Sequence, residues 1–140
     1  MKTLLAFFLL ALPVIAGEVH TPKVGSKERT DILNAVRDPL EDQIHQKVIF
    51  RVSHLKVQDG WAFLIAQPRT RDDKPIDYTG TIFEWGTREF DEGAIAILRF
   101  KRNRGYIVQH SFFTSDVWWE EAPKELRAPR GIFKLSEIKP

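Results

Sequence analysis

Cysteine is absent from the 140-residue sequence. Its absence excludes disulfides, a thiol nucleophile, thiolate metal sites and lipid attachment through an N-terminal cysteine, so the fold must rest on its apolar core. No charge of one sign dominates either. The 21 Lys and Arg stand against 19 Asp and Glu for a net charge of +2, and a pI near 9.0 reports that small surplus. Basic clusters at Arg99, Lys101, Arg102 and Arg104, and at Lys124, Arg127 and Arg130, read as solvated turns. Nucleic acid, which requires many phosphate contacts on one face, is therefore not an expected partner.

Long apolar runs are missing too. The longest, Leu4 to Leu12, is followed by Pro13 and falls well short of the roughly 20 residues that a membrane span needs. With Lys2 before it and Val14 and Ala16 after it, the run instead has the form of a secretory leader cut between Ala16 and Gly17. The expected organisation is a signal peptide over residues 1–16, a flexible lead-in over 17–25 and one domain over 26–140. The mature protein would be periplasmic or secreted, with no membrane association after cleavage.

Recognisable reaction motifs are also lacking. There is no Gly-x-Ser-x-Gly elbow. His20, His45, His54 and His110 are scattered without metal-ligand spacing. Asp72, Asp73 and Asp77 crowd one loop but lack the glycine and terminal glutamate of a calcium loop, and read as a solvated acidic turn. No metal, no cofactor and no catalytic residue is assigned.

What the chain does contain is clear periodicity. Ser26 offers a helix N-cap and Glu28 a negative charge in the first turn, and Ile32, Leu33, Val36 and Leu40 share one helical face. At "DPLE", Asp38, Pro39 and Glu41 look like a renewed cap, predicting a kink or a second short helix to about His45. From Lys47 the period becomes two. Val48, Phe50 and Val52 have one parity, Leu55 and Val57 the other, and the slip near Ser53 and His54 marks a bulge.

"QDG" forms a hairpin turn into "WAFLIAQ", an all-apolar and hence central strand that Pro68 should end. A long loop follows from Arg69 to Gly93, with "TIFEW" as a candidate short edge strand. Ala94 to Lys101 and Tyr106 to Phe113 make a second hairpin around "RNRG", with Gly105 at the left-handed position. Thr114 or Ser115 caps a helical turn through Trp118 and Trp119, Pro123 limits it, and the tail from Ala128 is irregular or a last edge strand. The order predicts an α+β domain: an N-terminal amphipathic helix on a bent antiparallel sheet, cystatin-like or NTF2-like, with a short C-terminal helix.

"ERTDILNAVRDPLE", "VIFRVSHLKVQDGWAFLIAQP", "PIDY", "IAILRF", "GYIVQHSFF" and "SDVWWEEAPKELRAPRGIF" together resemble a group of small exported bacterial proteins that carry no assigned activity. The likeness runs from about Glu28 to Phe133. It implies a bacterial periplasmic or secreted setting and supplies no catalytic residues.

Phe50, Trp61, Phe63, Phe100 and Phe112 alternate along strands and read as core. If the long loop folds over the sheet, Tyr78, Trp85, Arg88, His110, Asp116 and Trp118 would line a pocket, with Trp119 beside it as interaction surface. A triad from His110, Asp116 and Ser111 or Ser115 is disfavoured, because adjacent strand residues face opposite sides. "HSFFTSDVWW" reads chiefly as a strand end plus a capped turn. The expected function is a binding or interaction module for a protein, peptide or small molecule. The alternative is a small enzyme or small-molecule-binding protein using His110 and Asp116 in a concave pocket.

Overall fold

The computed structural model describes residues 17–84, 93–113 and 118–135, of which 110–113 and 118 by their backbone alone. Helix α1, Lys27–Ile44, begins at Ser26, whose Oγ accepts the Arg29 amide at 3.2 Å. It ends at His45, left-handed at φ 56, whose N–H returns to the Glu41 carbonyl at 2.8 Å. The second short helix expected from Asp38 does not form, and Pro39 lies inside one continuous helix. An interior proline costs about 3 kcal/mol. Leu40 and Ile44 extend the stripe of Ile32 and Val36 and are buried, which returns about 1.5–3 kcal/mol each. Pro39 itself is exposed, where water can serve the carbonyl it leaves unbonded. Glu41 closes no capping box. Its carboxylate reaches forward to the Val48 amide at 2.9 Å and Lys47 Nζ at 3.0 Å, tying the helix to the first strand.

Strands β1 (Ile49–Gln58), β2 (Trp61–Arg69), β3 (Ala94–Lys101) and β4 (Gly105–Phe113) form an antiparallel sheet in the order β1-β2-β3-β4. Asp59 and Gly60, at φ 50 and 76, make the tight turn between β1 and β2. The second turn closes with Arg104 N–H on the Lys101 carbonyl at 2.9 Å, and Gly105 takes φ 72. Pro68 does not end β2 but sits opposite Phe50. Among the described residues, pairing of β2 with β3 stops at Ala66, so Pro68 has a ladder partner only in β1 and its missing N–H breaks no described pair.

Register shifts by one residue at Ser53, because Val52 pairs Ala66 and His54 pairs Ile65. The extra residue resets the alternation, so that Phe50 and Val52 on one side of it and Leu55 and Val57 on the other all face α1. Ser53 Oγ donates to the Ile65 carbonyl at 3.1 Å and pins the bulge. A second extra residue, Gln109, shifts β4 against β3 between Ile97 and Leu98.

On the helix side, Ile32 and Val36 pack on Leu55, Val57, Ala62, Leu64, Ala66, Ala96 and Leu98. Farther along α1, Leu40 and Ile44 meet Val48, Ile76 and Tyr78. The other sheet face is covered by the C-terminal segment: a 3-10 turn at Trp118–Glu120, helix α2 at Ala122–Glu125 and a 3-10 turn at Arg130–Phe133. Trp61, Phe63, Ile95 and Ile97 pack there against Ala122, Ala128 and Ile132. Phe63 therefore faces away from α1, and the tail forms a third layer where the sequence reading expects irregular chain or an edge strand.

Two further expectations need correction. Phe100 is 48% exposed and lies against the Tyr106 ring at 5.4 Å, outside the core. Thr81–Glu84 of "TIFEW" is turn, because the Thr81 amide and hydroxyl both take the Tyr78 carbonyl, at 3.1 and 2.7 Å. Trp85, the leader over 1–16 and the caps at Thr114 and Ser115 lie outside the described residues. Among the described residues no helix is long and apolar enough to cross a membrane.

The tail's role as a third layer gives a stability test. Ile132 is fully buried, and Ile132→Ala should cost about 2–5 kcal/mol. Leu135→Ala, at a half-exposed position, should change stability by less than about 0.5 kcal/mol. Urea denaturation of the two variants beside the parent measures the difference.

Candidate functional site

Of the residues expected to line a pocket, Tyr78 and Trp119 are described with their side chains. Tyr78 is buried under the C-terminal end of α1 beside Phe83. Trp119 is half-buried on the opposite sheet face, 5.7 Å from the Phe63 ring. The two belong to different clusters. His110 pairs with Ile97 in the backbone register, and Trp118 opens its 3-10 turn. Trp85, Arg88 and Asp116, with the side chains of His110 and Trp118, lie outside the described residues.

The described residues place a different constellation at the bulge. Residues Gly17 to Thr21 run antiparallel along the outer edge of β1, with His20 and Val57 exchanging backbone hydrogen bonds at 2.9 and 2.8 Å. After Thr21 the chain leaves for α1. Among the described residues nothing pairs with the edge of β1 where the bulge begins, and there Thr21, Arg29, Val52, Ser53, His54, Leu55 and Lys56 line a depression of about 220 Å³.

Lys56 Nζ donates to Thr21 Oγ1 at 2.8 Å, and Arg29 donates through one nitrogen to the Pro22 carbonyl at 3.2 Å. Neither cation has a carboxylate partner among the described residues. Some cations elsewhere on the surface do have such partners. Asp73, in the crowded acidic loop, is held by both Arg51 and Arg69, and those contacts, Arg51 first, keep its carboxyl below the usual range. Glu28 takes His20 at 2.9 Å and the Tyr106 hydroxyl at 3.2 Å, and burial followed by the Glu28 charge raises the Tyr106 phenol.

His54 is the buried polar side chain of this region. The bulge turns it to the face opposite α1, where its ring lies tilted against that of Phe63 with the centroids 5.3 Å apart. Nε2 lies 2.7 Å from the Ile132 carbonyl. A carbonyl only accepts, so Nε2 carries the proton and Nδ1 of the neutral ring keeps its lone pair. Burial lowers its pKa and the Lys56 charge lowers it further, while the Ile132 carbonyl acts in the opposite direction. The sequence reading left His54 among four scattered histidines. The parity slip at Ser53 was the signal that it occupies a special strand position.

The arrangement is suited to receiving negative charge: two unpaired cations, a hydroxyl and open strand edge around a small hollow. Its volume is below the roughly 300–1,000 Å³ of drug-sized ligand sites, and fits one carboxylate-bearing side chain better than a whole cofactor. Among the described residues no group of three or more His, Asp or Glu side chains is placed to hold a metal ion. Compared with family models, curated proteins and solved structures, nothing matches this chain.

The burial of His54 sets a pH dependence. Above about pH 6.5 folded and unfolded chains both hold it neutral, and its contribution to stability is complete. As pH falls below that value the unfolded chain takes up the proton first, so stability drops until the lower folded pKa is passed. His54→Gln keeps an N–H for the Ile132 carbonyl. It should flatten the fall in Tm between about pH 7 and about pH 5 relative to the parent, as calorimetry at stepped pH would show.

Proposed function

We propose that this chain is an exported binding module that takes up an extended acidic peptide along the bulged edge of β1, one carboxylate seating between Arg29 and Lys56. The observation that carries the reading is the hollow lined by Arg29 and Lys56, neither with a carboxylate partner among the described residues, beside β1 edge that has no strand partner among those residues. An open edge offers backbone donors and acceptors to an added strand, and a side-chain hollow beside it supplies selectivity. The leader-like residues 1–16 support export to the periplasm or the medium. The helix laid on a twice-bulged antiparallel sheet supports a cystatin-like or NTF2-like fold, and the exported bacterial proteins it resembles are consistent with that setting.

A capped oligoglutamate peptide tests the reading, with oligoglutamine as the neutral control. Binding of the acidic peptide should shift the backbone amide resonances of Thr21 and Ser53 to Lys56 and weaken as salt rises. A charge-assisted hydrogen bond contributes about 1.5–3 kcal/mol, so Arg29→Gln and Lys56→Gln should each weaken binding by about tenfold or more. Equal affinity for both peptides, or shifts confined to other faces, would remove the proposal. Inorganic phosphate binding at the same residues without any peptide preference would assign the hollow to small anions instead, and contradict the peptide reading.

A further inference from the structure

We infer that cleavage between Ala16 and Gly17 creates an ion pair: the new α-ammonium of Gly17 docks on the Asp59 carboxylate at the β1–β2 turn and fastens residues 17–21 to β1 as a short fifth strand. This rests on the leader reading of residues 1–16. The fastening contacts themselves are independent of it.

The Gly17 nitrogen stands 2.7 Å from Asp59 Oδ1. A Cβ at residue 17 would lie 2.8 Å from that same oxygen, a contact that a small turn of the exposed Asp59 carboxylate relieves. The Gly17 carbonyl accepts from Gln58 Nε2 at 2.9 Å, which fixes the orientation of the first peptide unit. Three residues on, His20 and Val57 complete a reciprocal backbone pair. Between them Val19 comes so near Gly131 that a Cβ there would sit 2.5 Å from Val19 Cγ2. The segment is thus gripped at its first residue, along its backbone and by the third layer.

Asp59 has its own reason to be there, since an Asp-Gly pair tolerates the positive φ values of 50 and 76 that this turn needs. Its carboxylate has no Lys or Arg partner among the described residues. In the uncut chain Gly17 offers one neutral amide proton. The freed terminus offers three donors and a positive charge, and a charge-assisted bond is roughly twice as strong as a neutral one. Processing therefore tightens the strand whose end, Thr21, forms one wall of the β1 hollow.

The test uses the chain beginning at Gly17, with its amine free or acetylated, in the parent and in Asp59→Asn. Asparagine keeps the left-handed preference of the turn and removes only the charge. Acetylation should speed amide hydrogen exchange at His20 and Val57 about two- to fivefold in the parent, the effect of a surface pair, and have no effect in Asp59→Asn. Exchange that does not respond to acetylation in the parent would overturn the inference. The intact mass of the exported protein tests the cut separately: a first residue of Gly17 supports it, and any other start overturns the leader assignment while the exchange result stands on its own.

Discussion

The layering of the structure depends on how β1 accommodates one surplus residue. Strand side chains alternate strictly, and if Ser53 were paired as an ordinary strand residue with no bulge, Phe50 and Val52 would face one layer while Leu55 and Val57 faced the other. Ser53 absorbs the odd residue, brings both pairs to the helix side and leaves His54 on the far side. Three consequences follow from this local event. The helix gains a continuous apolar floor along the length of β1. His54 is placed to donate to the Ile132 carbonyl and hold the returning C-terminal segment. The strand edge is interrupted where the N-terminal segment departs, which forms the hollow between Arg29 and Lys56.

Burial of the sheet on both faces explains why a chain without disulfides forms three layers. The central strands carry apolar residues at successive positions, such as Ala62, Phe63 and Leu64 in β2 and Ala94 to Leu98 in β3. Such strands are stable only when both sides are covered. The helix covers one, and the short turns around Ala122, Ala128 and Ile132 cover the other. At the end of the sheet the coverage stops: Arg99 and Phe100 are exposed, and the Arg99 guanidinium rests 4.9 Å over the Trp61 ring.

Much of this was legible in the residues. The helix, its Ser26 cap, both hairpins, the Asp59-Gly60 turn and the Ser53 bulge each follow from local rules that use only neighbours in sequence. The renewed helix start at Asp38 was misread because capping chemistry is local, whereas the burial of Leu40 and Ile44 that overrides it depends on Val48, Ile76 and Tyr78. The third layer was hidden for a related reason. Short turns carry no periodicity, and Ile132 becomes core only through contact with strands far away in the chain. The β1 hollow joins residues from the lead-in, the first helical turn and the bulge, none of which is distinctive alone. The aromatic pocket expected from Tyr78 through Trp119 draws mainly on residues outside those described, while Tyr78 and Trp119 themselves serve separate clusters.

Deletion of Ser53 tests the account most directly. Joining Val52 to His54 restores simple alternation, with Phe50, Val52, Leu55 and Val57 still facing α1 and every pair to β2 still in register. The account predicts a variant that keeps the amide resonance pattern of both hairpins, unfolds in a single transition and loses its affinity for the acidic peptide as the hollow flattens. A deletion variant that fails to fold, or one that folds and binds the peptide as the parent does, would contradict it.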